Sequence, residues 1–494
     1  MSLWHGRRRL VNRFRLILTP FFQFAGLPFT QVLSERDVQD AADAEAVAFG
    51  NHDGDVYTPA LTLWAFLWQV LHKDRGSSCA AAVARVITLL ATLGRKPCFS
   101  DTGAYCRPAC PRDAGRARAK LSEPMLDRLI TTVARRLESD VPGDWLWCGR
   151  RVKLVDGSTV SMPDTPANQQ VYPQPRSQKP GLGFPIARIV VVLSLATRAM
   201  HGVALGPYHG KETGETALVR SLLDQFDQGD VLLADRFHGS YFALAMAQQR
   251  GVDSVVRLHQ RRRSDFRCGR RLGKGDHLVQ WAKPACASHA DRPAKPAWMD
   301  EATYASMADM LTVREVQVQV EQPGFRVDRF VVVTTLTDAQ RYPAARIAEL
   351  YRLRWQAELD IRSIKEAMGM DILRCKTPQM VRKEILAHCL AYNLLCKILA
   401  QAALLHEQLP RELSFSGALH AVQAAWSGLM SLDAAMDRKI ARAHLRSIAS
   451  QRIGHRPGRI EPRAVKRRPK PHKLLNKPRA EARADIMART AKQR

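Results

Sequence analysis

The sequence predicts an α/β layered core, set between a helical N-terminal unit and a helical C-terminal region that runs out into a basic tail. Three observations carry that expectation. Apolar residues recur at helical spacing up to about residue 145 and again from Pro378 onward. Between 151 and 335 the pattern turns to short Val, Ile and Leu runs bounded by turn residues, as in strands. Carboxylates fall at the ends of two of these runs, Asp156 and Asp235, and a third, Glu358, lies on a late helix.

In residues 1–150, Thr58 to Leu71 opens with Pro59, which suits a first helical turn, and Cys79 to Leu93 and Pro124 to Leu137 carry apolar residues at helical spacing. A Cys-, Pro- and Arg-rich loop, Gly94 to Arg118, separates the last two. A helical unit on a basic chain suits a DNA reader, with structural support as the other option. In 151–260, Val152 to Val155 leads into Asp156, and Ile189 to Leu195 and His201 to Leu205 form a hairpin about Thr197-Arg198. A helix over Glu215 to Phe226, the strand Val231 to Ala234 ending in Asp235, a helix over Tyr241 to Arg250 and the strand Asp253 to Leu258 follow. Residues 261–325 interrupt this pattern: Arg261, Arg262, Arg263, Arg267, Arg270, Arg271 and Lys274 crowd together ahead of Trp281 and Trp298. Such a stretch can clamp nucleic acid with its rings stacked on bases, or it can be a solvated loop with two tryptophans packed beneath it. Residues 326–375 hold the strand Val327 to Thr335 and a helix running from Pro343 to Gly369. Residues 376–450 are helical, with Pro378 to Leu404 the most apolar, and 451–494 carry fifteen Lys and Arg against three acids among prolines. That tail cannot bury a core and is expected to be a flexible arm lying on phosphates.

Composition narrows the function. The chain of 494 residues has room for two to four domains, and 46% hydrophobic with 25% charged residues is ordinary for a globular protein. Seventy-five Lys and Arg against 47 Asp and Glu leave a net charge of +28. The pI is near 10.2, so the partner is a polyanion, either nucleic acid or an anionic membrane surface. No apolar run approaches the roughly 20 residues of a membrane span, which leaves DNA or RNA. The ten cysteines lack the dense spacing of a disulfide scaffold and read as reduced thiols in a cytosol. Cys98, Cys106 and Cys110 have no matching second pair for a zinc knuckle. Arg7 to Arg9 ahead of Leu16 to Leu27 looks like a signal peptide, but Pro20 interrupts the apolar part, so the segment is read as part of the protein.

The late helix carries the densest chemistry. At about 100° per residue, Tyr351, Arg354, Glu358 and Lys365 share an arc of roughly 60°, with Arg362 beside them and Trp355 at the edge. Asp360 points to the opposite side. Such a stripe can be an exposed, salt-bridged face, and a single Asp at a strand end is commonly a cap or turn residue. Jointly, Asp156, Asp235 and Glu358 offer hard oxygen ligands suited to Mg²⁺ or Mn²⁺. Two such ions about 4 Å apart can activate a hydroxyl and stabilise the leaving oxygen of a phosphoryl displacement.

The spacing of Tyr351, Arg354, Glu358 and Lys365 resembles, without departure, the hallmark of the cut-and-paste DDE transposases of bacterial insertion sequences, specifically insertion sequence family four. The blocks VDGSTVSMPD around Asp156 and LLADRFHGSY around Asp235 are similar to the family's other two signatures. The resemblance runs from about residue 30 to the tail. It implies an RNase H-like core interrupted by a mostly β insertion, with Asp156, Asp235 and Glu358 as ligands of two Mg²⁺ ions that Mn²⁺ can replace. It implies that Tyr351, Arg354 and Lys365, with Arg362 and Trp355 beside them, contact phosphates near a transposon end, and that Trp281 or Trp298 receives a flipped base. The implied partners are double-stranded DNA, as terminal inverted repeats and target, and a second copy of the chain in the DNA complex. The implied setting is the bacterial cytoplasm at the nucleoid. The implied chemistry is a nick, a hairpin, its reopening and joining to target. The alternatives are an RNase H-like nuclease or junction resolvase without strand transfer, and a catalytically silent DNA-binding derivative, against which the three intact carboxylates argue.

Overall fold

The structure is a computed structural model that describes residues 21–23, 27–29, 32–50, 55–72, 77–94, 105, 117–284, 295–319, 329–428, 434–453 and 474–492. The Arg7–Arg9 terminus, Cys98, Cys106 and Cys110 with most of their loop, and residues 454–473 of the tail lie outside the described residues.

Of the N-terminal helices among the described residues, α1 (Glu35–Ala44), α2 (Pro59–Leu71), α3 (Cys79–Thr92) and α4 (Glu123–Ser139) each start on a hydroxyl cap. Ser34, Thr58, Ser78 and Ser122 accept the backbone N–H three residues on, satisfying one of the donors that a helix start leaves free.

The sheet begins with β1 (Val152–Ser161), β2 (Ile186–Ser194) and β3 (Met200–Pro207), joined antiparallel. After α5 (Glu215–Arg220) comes β4 (Val231–Ala234), parallel to β1; after α6 (Tyr241–Gln249) comes β5 (Asp253–Arg257), parallel to β4. β6 (Arg270–Gly273), β7 (Asp276–Ala282), a short helix Glu301–Ser306, β8 (Met310–Gln319) and β9 (Arg329–Thr334) complete the strands. The spatial order is β3-β2-β1-β4-β5-β9-β8-β7-β6. β9 bonds β5 on one side and β8 on the other, so β6, β7 and β8, which lie between 261 and 325, extend the same sheet. Both faces of β2 are buried: Ile189, Val191 and Leu193 enter one apolar cluster, Val190 and Val192 the other. That is why the strand reads as a continuous apolar run.

The C-terminal part holds α7 (Ala344–Arg352), α8 (Trp355–Arg362), a π-helical turn Ser363–Ala367, α9 (Pro378–Leu405), α10 (Phe415–Gly428), α11 (Ala434–Ser450) and α12 (Arg479–Lys492). α9 is the hub, packing on α2, α4, β3, α10 and α11. It is long and apolar enough to cross a membrane, yet its most apolar stretch is wholly buried in the protein, as in a core helix. Two of its buried polar side chains reach distant backbone: Lys397 Nζ donates to the Phe21 and Phe22 carbonyls at 3.0 and 2.9 Å, and Asn393 bonds both Met200 and Ile130.

Three expectations need correction. Asp156 is not at a strand end: β1 runs on to Ser161 because β2 continues to pair with it past Ala234, where β4 stops. The helix expected over Pro343 to Gly369 breaks at Leu353–Arg354, where the Leu353 and Arg354 N–H groups bond residues three back, and widens to π at Ser363, whose Oγ donates to the Leu359 carbonyl. The tail, expected to be a flexible arm, carries regular structure in part: after Pro478 its residues Arg479–Lys492 form α12.

Candidate active site

The β1–β4 register aligns two of the candidate carboxylates. Asp156 and Asp235 share the offset that pairs Val152 with Val231 and Leu154 with Leu233, so both follow the paired stretch of two adjacent strands, Asp235 directly after the end of β4. Each is fixed by its own backbone: Asp156 Oδ1 accepts the Gly157 N–H at 2.9 Å, and Asp235 Oδ1 accepts the Phe237 N–H at 2.8 Å, capping the 3₁₀ turn Arg236–His238. Glu358, in the first turn of α8, joins them through Arg354. The guanidinium lies 2.5 Å from Glu358 Oε1 and 3.7 Å from Asp156 Oδ2.

The electrostatics follow. Asp156 is pushed up to about 6, first by burial and then by the Glu358 and Glu215 carboxylates, against the Gly157 N–H and Arg354. Burial alone would lower the Arg354 pKa, but the bond to Glu358 and the charges of Tyr351, Asp156 and Glu358 raise it. Tyr351 is 9% exposed against the Phe330 ring. Its hydroxyl is pushed up to about 12 by burial, with Asp235 adding to the shift, so it stays a donor. Lys365 Nζ donates to Ser158 Oγ, two residues beyond Asp156, at 3.0 Å.

The remaining candidates are arranged differently. Arg362 pairs outward with Glu366 at 2.9 Å, and Trp355 is 56% exposed. Trp281 is 5% exposed, with its Nε1 donating to Glu315 and Arg262 over its face. Trp298 is half-buried beside Arg220 and lines a cavity of about 280 Å³ with Phe237, His238 and Phe242.

Two residues of the site were not singled out in the sequence. Glu215 opens α5 and lies against β1, where a Cβ on Gly157 would come 2.7 Å from its carboxyl carbon. His238 follows Asp235 by three residues. The only sequence signals were a glutamate at a helix start and a histidine inside a block already quoted for its aspartate; neither marks a function without the fold. Four carboxylates around a partly buried centre, one of them already raised, make a hard-oxygen donor set that fits divalent cations.

Comparison with known proteins agrees with this chemistry. Residues 147–394 match the family described as the transposase DDE domain. Over 361 residues the chain is 29% identical to the transposase InsG of insertion sequence element IS4 from Escherichia coli K12, covering 72% of this chain and 76% of that protein. Over 69 residues it is 36% identical to the transposase of insertion sequence element IS421 from Escherichia coli, covering 14% of this chain and 19% of that one. Among solved structures, the piggyBac transposase synaptic complex with hairpin DNA aligns over 87% of this chain and 82% of that one. At 11% identity and a TM-score of 0.39 the likeness is too low to define the fold.

Proposed function

The chain belongs to the DDE transposase family, and from that premise we propose that Asp156, Asp235 and Glu358 hold divalent cations, Mg²⁺ in use and Mn²⁺ as substitute, for cleavage at transposon ends and strand transfer. The protein is a DNA transposase, an enzyme that cuts DNA and joins strands. The observation that carries the site assignment is the shared register of Asp156 and Asp235, with Glu358 tied to Asp156 through Arg354. The run β3-β2-β1-β4-β5, antiparallel then parallel, supports an RNase H-like core in 151–260 and 326–375, with 261–325 as the insertion between the second and third carboxylates.

Cations bound there would stabilise the attacking and leaving oxygens of an in-line displacement. The chain's own side chains do the positioning. Without DNA, Arg354 neutralises Glu358 and Asp156; a strand phosphate offers the guanidinium a bidentate partner, and its transfer frees Glu358. Lys365, beside β1, meets the neighbouring phosphate as a point charge, and the protonated Tyr351 hydroxyl donates to the same backbone. Exposed Trp355 and Arg362 line the DNA path along α8. A hairpin intermediate forces a base out of the stack, and the Trp298 cavity suits that base better than buried Trp281 does. The helical unit in 1–150, the region 376–450 and the basic tail 451–494 serve end recognition, assembly and phosphate neutralisation, in a homodimer on the terminal repeats in the bacterial cytoplasm. Alanine at each of Asp156, Asp235 and Glu358 should abolish Mg²⁺-dependent nicking of an end-bearing duplex while gel-shift affinity stays within a few-fold. Full nicking by any one variant removes that residue from the site.

A further inference from the structure

We propose that Glu215, Asp235 and His238 form a cation site with one imidazole nitrogen among its ligands, a site that takes Mn²⁺ in preference to Mg²⁺. It rests on the assignment of Asp235 as a metal ligand and deepens it: two residues outside the three-carboxylate set complete the coordination on the Asp235 side.

Geometry carries the argument. The ligand atoms of the three side chains all lie within 4.8 Å of one another. His238 Nε2 is 3.7 Å from Glu215 Oε1 and 4.0 Å from Asp235 Oδ1. An octahedral ion about 2.1 Å from each donor holds adjacent ligands about 3 Å apart and opposite ones about 4.2 Å apart, so a small contraction closes the set. His238 points into this centre from a buried position: its side chain is 5% exposed and Nε2 has no hydrogen-bond partner. A buried ring nitrogen left unpaired is costly, and a cation would supply its partner. The local chain is built to aim it. Asp235 caps the 3₁₀ turn through Phe237 N–H, and a residue three along such a turn returns to the side of its cap. From the other side, Glu215 reaches the centre because residue 157 is glycine: any Cβ there would meet its carboxyl group. Oxygen donors alone serve Mg²⁺ well, whereas an imidazole shifts preference toward transition ions.

The test is Mn²⁺ titration of the full chain without DNA, read by the loss of the free-ion EPR signal, with Mg²⁺ as competitor and pulsed EPR of the bound ion. The expected result is a bound Mn²⁺ with nitrogen modulation in the wild type. H238Q should lose the modulation, weaken Mn²⁺ more than about tenfold and leave Mg²⁺ competition nearly unchanged; E215Q should weaken both ions. Circular dichroism identifies the variants that fold, and either variant suffices. Wild-type chain that binds no Mn²⁺, or variants that bind it as the wild type does with the modulation intact, would overturn the site. Binding is read independently of cleavage, so a chain that binds Mn²⁺ through His238 yet never cuts an end-bearing duplex refutes the transposase mechanism and keeps the site.

Discussion

Arg354 links two of the carboxylates proposed to hold the cations, and its chemistry decides what a substitution does. It lies 2.5 Å from Glu358 and 3.7 Å from Asp156, so it is the counter-charge of both, and in the proposed function it is also the group that takes the strand phosphate. Positioning of a 3′-hydroxyl against the opposite strand is demanding, and a displacement of about 1 Å can cost on the order of 100-fold. Water, as the first nucleophile, is less demanding. Arg354→Ala and Lys365→Ala should therefore slow hairpin formation and strand transfer more than the first nick, and Arg354→Lys should rescue only in part, because an ammonium does not reproduce a bidentate guanidinium grip. Equal loss at every step in both alanine variants would assign these side chains to binding alone. Helical spacing put Tyr351, Arg354, Glu358 and Lys365 on one face and made direct neighbours of Arg354 and Glu358, four residues apart, although the helix breaks just before Arg354. It could not find Glu215, whose approach to Asp235 depends on the strand pairing and on the empty space over Gly157, and it gave His238, brought beside Asp235 by the 3₁₀ turn, no partner to mark it.

Among the elements, α9 binds the N-terminal helices to the sheet and to the C-terminal helices, and it carries a pH dependence. His388 on α9 is buried with Nδ1 unpartnered, and burial pushes it down to about 3. Its folded pKa lies below the ordinary value, so the stability it contributes is full above about pH 6.5 and falls as pH drops toward 3, because only the unfolded chain takes the proton. The slope is at most about 1.4 kcal/mol per pH unit, and buried His201, lowered by burial and by Lys153, adds a slope of the same sign. Thermal melts from pH 7 to 5 should fall less steeply for His388→Gln than for the wild type; parallel curves would show that the ring is protonated in the fold. Elements were legible where local signals agreed. Thr58 with Pro59 marks α2, and the apolar run Val231–Ala234 between turn residues marks β4. They were illegible where a distant partner decides. The polar second half of β1 is a strand only because β2 lies beside it, and β8 joins the sheet only through β9. The break before α8 lies where Arg354 turns to its two carboxylates while Asp360, on the far side of α8, is fully buried between Arg198 and Arg411 at 2.9 Å each.

At the scale of the whole molecule, a net charge of +28 presents DNA with a broadly attractive chain, and the basic tail concentrates that charge at one end. Residues 451–453 are tied to the body, with the Arg452 side chain on Glu412 and the Ile453 N–H on the Glu412 carbonyl. Truncation after Ile453 should thus leave the fold intact and flatten the slope of log K against log salt on random duplex by about 0.9 for each phosphate that the tail neutralises. Discrimination between end and random sequence should persist; an unchanged slope would mean the tail is not on DNA. The mixed α/β architecture and its helical flanks were readable from periodicity alone, whereas the fusion of both flanks onto α9 was not, because nothing local to residues 35–139 signals a partner near residue 390. The central claim, strand transfer by one carboxylate site, is tested most directly by a time course of the full chain with Mg²⁺, a labelled transposon end and target DNA, scoring nicked, hairpin and joined products separately. Nicks that give way to hairpins and then to joined products are the expected result. Nicks that accumulate alone on an authentic end, however long target DNA is present, would contradict it and identify the protein as a nuclease.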